Sequence, residues 1–200
     1  MREKKASGGQ GAVREILIPA VILTVTCIVI ALLLAVTNRV TAPRIADLQV
    51  QTAAESRKLV LADAASFSEE HTISLDGVDY TYCEGLDASG NCVGYVFTTS
   101  AKGYGGDVVV MSGVDTNGTV TGIQTTELNE TAGLGMKAAE DSFLSQFKGK
   151  TAGIGVAKNN PGDNDIQALT GATITSRTVT DSVNTALELY QLVKGGGAIE

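Results

Sequence analysis

The sequence has no tryptophan, a single histidine and three cysteines in 200 residues, and aromatic side chains make up only 4% of it. Without large rings, a core has to be built from valine, isoleucine, leucine and alanine. The one histidine, His71, sits in a polar segment, which leaves little for a histidine-dependent nucleophile or a Cys/His metal set. Cys27 lies in an apolar run, whereas Cys83 and Cys92 flank Asp87-Ala88-Ser89-Gly90-Asn91, a turn signal between two strand-like stretches. No catalytic residue and no metal ligand is therefore expected. Cys83 and Cys92 could face each other across a hairpin, either as a disulfide in an oxidising exterior or as two reduced, half-buried thiols.

Positive charge is also scarce. The formal net charge is −7, yet residues 1–15 carry +2 through Arg2, Lys4, Lys5 and Arg14 against Glu3 and Glu15, leaving −9 for the rest. A domain that acidic is a poor partner for nucleic acid.

What the chain does have is one long apolar run. From Ile16 to Thr37 there are 22 residues without a charge. As a helix they extend about 33 Å, enough for a bilayer core of about 30 Å. A cleaved signal peptide would have a shorter apolar region of about 7–15 residues. The nearest cleavage-like site, Val40-Thr41-Ala42, is followed by the unfavourable Pro43, and Cys27 after Thr26 is a poor lipoprotein site. A retained anchor is expected, with the basic tail in the cytoplasm and the remainder outside it.

The expected organisation is a cytoplasmic basic tail over 1–15, a transmembrane helix over 16–38, a stalk helix and connection over 39–75, a folded domain over 76–194 and a flexible tail over 195–200. Helical spacing runs from Arg39 to Ala64, and Ala65–Leu75 reads as a connection. Gly77–Leu86 and Cys92–Ser100 form an expected hairpin. Asp107–Val114 and Thr119–Thr126 form a second, with Asn117-Gly118 as its turn signal. A short helix is expected over Ala138–Phe147 and a strand over Thr151–Val156. Lys158–Asn164 reads as an exposed loop without chemistry. The clearest helix is Arg177–Val193, stopped by Gly195-Gly196-Gly197. Hairpins followed by helices argue an α+β domain on an antiparallel sheet with flanking helices.

Just ahead of that last helix lies Thr170-Gly171-Ala172-Thr173, continuing as Ile174-Thr175-Ser176. Gly171 and Ala172 leave a threonine hydroxyl within reach of a modifying enzyme, and the following helix would aim free N–H groups at a phosphate. The same residues also suit a Ser/Thr-rich N-cap of a surface helix. Upstream, Glu127-Leu128-Asn129-Glu130-Thr131-Ala132-Gly133-Leu134-Gly135 and Lys102-Gly103-Tyr104-Gly105-Gly106 are glycine-rich segments that permit close backbone approach.

Taken together and in this order, these three segments resemble the FMN-binding domain shared by the G subunit of the Rnf electron-transport complex and the C subunit of the sodium-pumping NADH:quinone reductase. The similarity covers nearly the whole chain, and the length fits the Rnf G subunit better. It implies an extracytoplasmic FMN-binding domain over 76–194, with FMN phosphoester-linked to Thr173 and Thr175 as the back-up hydroxyl. Thr170, Gly171 and Ala172 would complete the phosphate loop. Glu130, Thr131, Gly133, Leu134, Gly135 and Tyr104 would approach the ribityl chain or ring, and Lys137 would meet the phosphate or stabilise negative charge on a reduced flavin. Two departures stand out: Ala132 replaces the family's usual proline, and Gln167 replaces an aspartate six residues before the modified threonine.

The resemblance further implies an electron-carrying subunit of a complex that couples ferredoxin and NAD oxidoreduction to Na⁺ or H⁺ translocation. Its partners would be the other membrane and peripheral subunits and a flavin transferase that installs FMN from FAD. Two other readings compete: a stand-alone membrane-tethered flavin carrier, and a non-catalytic extracellular binding module.

Overall fold

The computed structural model describes the backbone of residues 9–195 and the side chains of 16–42 and 52–195. The expected basic tail at 1–15 and the tail at 195–200 fall largely outside these. The chain divides after Val50 into two units, described separately below.

The first unit is helical. Helix α1 runs from Gly9 to Val60, and its stretch Ile16–Ala42 is 27 residues long, apolar enough to cross a membrane and exposed throughout. The helical stretch expected from Arg39 is helical and continuous with the apolar run before it, through Pro43. The helix also ends four residues before Ala64.

The second unit is built on an antiparallel sheet. Strands β1 (Ser66–Phe67) and β2 (His71–Leu75) share the outer edge of β3 (Val78–Leu86). The order continues through β4 (Cys92–Lys102), β5 (Asp107–Asp115) and β6 (Val120–Leu128), each antiparallel to its neighbour. Both expected hairpins are present. The expected connection Ala65–Leu75 instead supplies β1 and β2, because β3 offers those short polar segments an unpaired edge.

The two hairpins share one turn device. Asp87 Oδ1 accepts the N–H groups of Ser89 at 2.7 Å and Asn91 at 2.9 Å. Asp115 Oδ1 does the same for Asn117 at 2.8 Å and Thr119 at 2.9 Å. Backbone and side-chain hydrogen bonds from Asn91 hold the Asp87 carboxyl below the usual carboxylate range.

One face of the sheet carries the main core. Phe97, Val108, Val110 and Val114 meet Phe143 and Phe147 from the short helical region, and Val179, Val183, Leu187 and Tyr190 from helix α3 (Thr173–Lys194). The expected helix Ala138–Phe147 is broken into a 3-10 turn (Gly135–Ala139), helix α2 (Asp141–Leu144) and a second 3-10 turn (Ser145–Phe147). Its core anchors Phe143, Leu144 and Phe147 are nevertheless buried. The expected strand Thr151–Val156 shortens to β7 (Gly155–Ala157), which pairs in parallel with β8 (Asp165–Gln167).

The other face holds a smaller cluster of Val60, Leu61, Cys83, Val96 and Met111. The two hairpin thiols do not meet. Cys83 lies opposite Val96 and Cys92 opposite Leu86, so the expected facing geometry fails by register, and both thiols are free. Burial pushes the Cys83 thiol up, which leaves it a poor nucleophile.

The end of α1 is seated on this face by a close approach at Gly113. Thr121 Oγ1 donates to the Val60 carbonyl, and a side chain at Gly113 would collide with that carbonyl and with Thr121 Oγ1. Gly113→Ala is therefore expected to lower stability by about 1–3 kcal/mol, measured as a fall in the urea midpoint at unchanged m-value. An unchanged midpoint would show that the α1 end does not dock there.

Candidate functional site

Three segments converge at one end of the sheet. The first is the β4–β5 loop, closed by the Gly103 N–H donating to the Gly106 carbonyl at 2.8 Å. The second follows β6 and turns at Thr131-Ala132-Gly133-Leu134, where the Leu134 N–H reaches the Thr131 carbonyl at 3.1 Å and Gly133 has φ +77°. The third turns at Leu169-Thr170-Gly171-Ala172, where the Ala172 N–H reaches the Leu169 carbonyl at 3.0 Å and Gly171 has φ +79°. A positive-φ glycine in the third position is the arrangement of a type II turn. The two turns thus use one device on opposite sides of the site.

Between them is a cleft of about 570 Å³ lined by Tyr104, Glu130, Thr131, Leu134, Gly135, Gly171, Ala172, Thr173, Ile174 and Thr175. Its size falls within the roughly 300–1,000 Å³ of small-molecule and cofactor sites. Of the residues expected from sequence, Thr170, Gly133 and Lys137 are exposed and do not line it. Thr170 sits at the tip of its turn, Gly133 serves the backbone of the other, and Lys137 lies on the 3-10 turn. Ile174, which is not among the residues expected from sequence, also lines it. Its signal in the sequence is an apolar side chain off the buried stripe of the helix, left 55% exposed.

The rim is apolar and uncovered. Tyr104 is 72% exposed and Leu134 43% exposed. Exposed large apolar groups gathered around one concavity mark a ligand or partner site. The polar end of the cleft is the start of α3. That helix begins at Thr173, four residues earlier than the sequence spacing suggests, so the expected loop threonine is its first residue. Ala172 occupies the N-cap position and no side chain caps the helix. Unpaired first-turn N–H groups with the positive end of a 22-residue helix suit an anion.

The hydroxyls on this turn differ. Thr173 is half-buried in the cleft wall, whereas Thr175 is 1% exposed. The Gly135 backbone closes over Thr175: a Cβ there would stand 2.8 Å from Thr175 Oγ1 and 2.7 Å from Glu130 Cβ. Ser176 is fully buried and bonded within the chain. Glu130 acts between loops, its Oε1 accepting the Tyr104 N–H at 2.8 Å. Gln167, exposed on β8, donates its N–H to Gln146 Oε1 at 2.7 Å, and its side chain bonds the Lys158 carbonyl.

Residues 103–188 match the FMN-binding domain family. The chain is 34% identical over 175 residues to the G subunit of the proton-translocating ferredoxin:NAD(+) oxidoreductase complex of Clostridium ljungdahlii, covering 87% of this chain and 91% of that protein. It is 40% identical over 186 residues to the G subunit of the Na(+)-translocating complex of Acetobacterium woodii, covering 85% and 89%. In fold it is similar to the C subunit of the Na(+)-translocating NADH-quinone reductase of Parabacteroides distasonis, with a TM-score of 0.52 and 20% identity over 64% of this chain and 77% of that one. It is likewise similar to NqrC of Shewanella oneidensis, with a TM-score of 0.50 and 21% identity over 66% and 70%.

The turn geometry shows what a proline at position 132 would meet. Ala132 is the second residue of a type II turn, where proline is favoured, and its N–H donates no bond among the described residues. Ala132→Pro is expected to raise stability by about 0.4–1 kcal/mol through the unfolded state, seen as a higher melting temperature; a lower one would contradict the turn assignment. Glu130→Ala should speed amide exchange at Tyr104 by about tenfold as the hydrogen bond is lost, while Glu130→Gln, which keeps an acceptor oxygen, should not.

Proposed function

Since this chain belongs to the family of G subunits of ion-translocating ferredoxin:NAD oxidoreductase (Rnf-type) complexes and carries an FMN-binding domain, we propose that it carries FMN covalently, esterified through the flavin phosphate to Thr173. It is an electron-transport flavoprotein subunit. The observation that supports the attachment reading is a contrast within one helical turn: Thr173 is the first residue of the uncapped helix and only half-buried in the cleft wall, whereas Thr175, which lines the same cleft, is 1% exposed.

In attachment, the Thr173 oxygen attacks the FMN phosphorus of FAD. Its O–H bond breaks, a new O–P bond forms, the phosphoanhydride bond breaks, and AMP and a proton leave. The α3 N-terminus would hold the phosphate, and Tyr104, Leu134 and Ile174 would flank the ring. When bound, FMN supplies one- and two-electron transfer, so it can join carriers of both kinds. The protein's own part is to hold it, orient it and keep it from dissociating. The coupled reaction would be ferredoxin and NAD oxidoreduction driving Na⁺ or H⁺ translocation.

The apolar stretch Ile16–Ala42 anchors the protein in this reading. Basic residues before it favour a cytoplasmic N-terminus, with the flavin domain on the opposite side. The stretch Ile16–Thr37 contains no charged side chain, so ion translocation belongs to partner subunits.

The test is intact mass and peptide mapping of the chain produced with and without a flavin transferase. A transferase-dependent FMN adduct is expected on the peptide containing Thr170–Ser176. It should vanish in Thr173→Ala and persist in Thr175→Val. An adduct that survives Thr173→Ala would overturn the assignment of the hydroxyl, and none in the wild type, with the transferase active on a control protein, would overturn covalent attachment.

A further inference from the structure

We propose that Ser176 is a positioning residue: its buried hydroxyl locks the turn that presents Thr173 and so sets the rate at which Thr173 takes up flavin. The inference rests on Thr173 being the attachment residue. Ser176 has no exposed surface. Its Oγ accepts the Leu169 N–H at 2.9 Å and donates to the Ala172 carbonyl at 3.0 Å. Leu169 and Ala172 are the two ends of the turn, already joined by the Ala172 N–H and the Leu169 carbonyl at 3.0 Å. One hydroxyl therefore ties both ends of a four-residue turn to the helix that follows, using its single proton and one lone pair without conflict.

This differs from what hydroxyls on helices ordinarily do. Thr24, Thr26, Thr37, Thr180 and Thr185 each donate to the carbonyl four residues back. Such a bond is local and constrains nothing outside its helix. Ser176 makes that bond and also accepts an N–H from the incoming chain.

The incoming chain is held just upstream as well. The Gln167 N–H donates to Gln146 Oε1 at 2.7 Å, and the Ala168 N–H to the Ala157 carbonyl at 2.8 Å. From Gln167 to Leu169 every backbone N–H is engaged, and the last of these bonds ends on Ser176. The lead-in to Thr173 is thus fixed before any ligand arrives. A nucleophile already held in line reacts faster than one that must be found in the right place, and a misplacement of about 1 Å can cost about 100-fold in rate.

The test uses the full chain without flavin, incubated with a flavin transferase in excess and FAD, with the rate of fluorescent adduct formation as one readout. The other readout is amide exchange at Leu169 before any flavin is added. In the wild type, Leu169 should be strongly protected. Ser176→Ala should slow labelling by about tenfold or more and speed Leu169 exchange by about tenfold. Thr180→Val removes a hydroxyl about equally buried on the same helix, whose one bond is to the Ser176 backbone carbonyl and which makes no bond to the turn residues Leu169–Ala172. It should leave both readouts within about twofold, which separates positioning from a general loss of stability.

Labelling of Ser176→Ala at the wild-type rate would overturn this inference alone. So would an unprotected Leu169 amide in the wild type, which decides the matter even if the Ser176 variant does not fold. A wild-type chain that takes no label overturns both this inference and the attachment reading.

Discussion

The site depends on helix α3 being pinned along its length. Near its far end, the Tyr190 hydroxyl donates to the Thr116 carbonyl at 2.6 Å, in the β5–β6 turn. Midway, Thr99 on β4 donates to the Ser182 carbonyl at 3.0 Å. Nearer the start, Thr178 donates to the Lys102 carbonyl at 3.2 Å, at the end of β4. From Tyr190 back to Thr173 is about 26 Å of helix. With three points fixed, the first turn can only emerge beside the β4–β5 loop and the segment after β6. The cleft is thus where a rigid helix meets the end of a rigid sheet, a placement that holds a reacting group more reliably than a free loop does.

The remaining walls are fastened to each other rather than to the core. Glu130 reaches across to the Tyr104 backbone. The Gly135 backbone rests on Glu130 and Thr175 so closely that no side chain fits. Glu130 thus serves as a brace as well as a lining group. Gln167 has a comparable part on β8. Its side-chain amide bonds the Lys158 carbonyl and ties the preceding loop to the strand.

What could be read from the sequence follows from how local the physics is. The two hairpins announce themselves because an aspartate and a glycine three residues later write the turn within five residues. Phe143, Phe147, Val179 and Val183 declare a buried face by spacing alone. The glycine-rich segments read as places of close backbone approach, but which of their side chains line the cleft could not be read from them. By contrast, β8 exists only because β7 lies beside it, a parallel pairing that no single segment encodes. The early start of α3 was hidden because Ala172 carries no capping group, so the usual marker of a helix start is missing. The choice between a disulfide and two free thiols is not written locally either, because the irregularity between Gly85 and Leu86 and the length of the β3–β4 turn together fix the register. Both are properties of the paired strands.

The open cleft has a thermodynamic corollary. A cofactor held only by contacts stabilises its protein by an amount that grows with the logarithm of its free concentration, and it leaves when that concentration falls. With Tyr104 and Ile174 more than half exposed, the apolar walls here cover little of whatever lies between them. A bond to Thr173 would take occupancy out of mass action altogether. The domain could then leave its flavin edge uncovered for an electron partner, and dilution would not empty it.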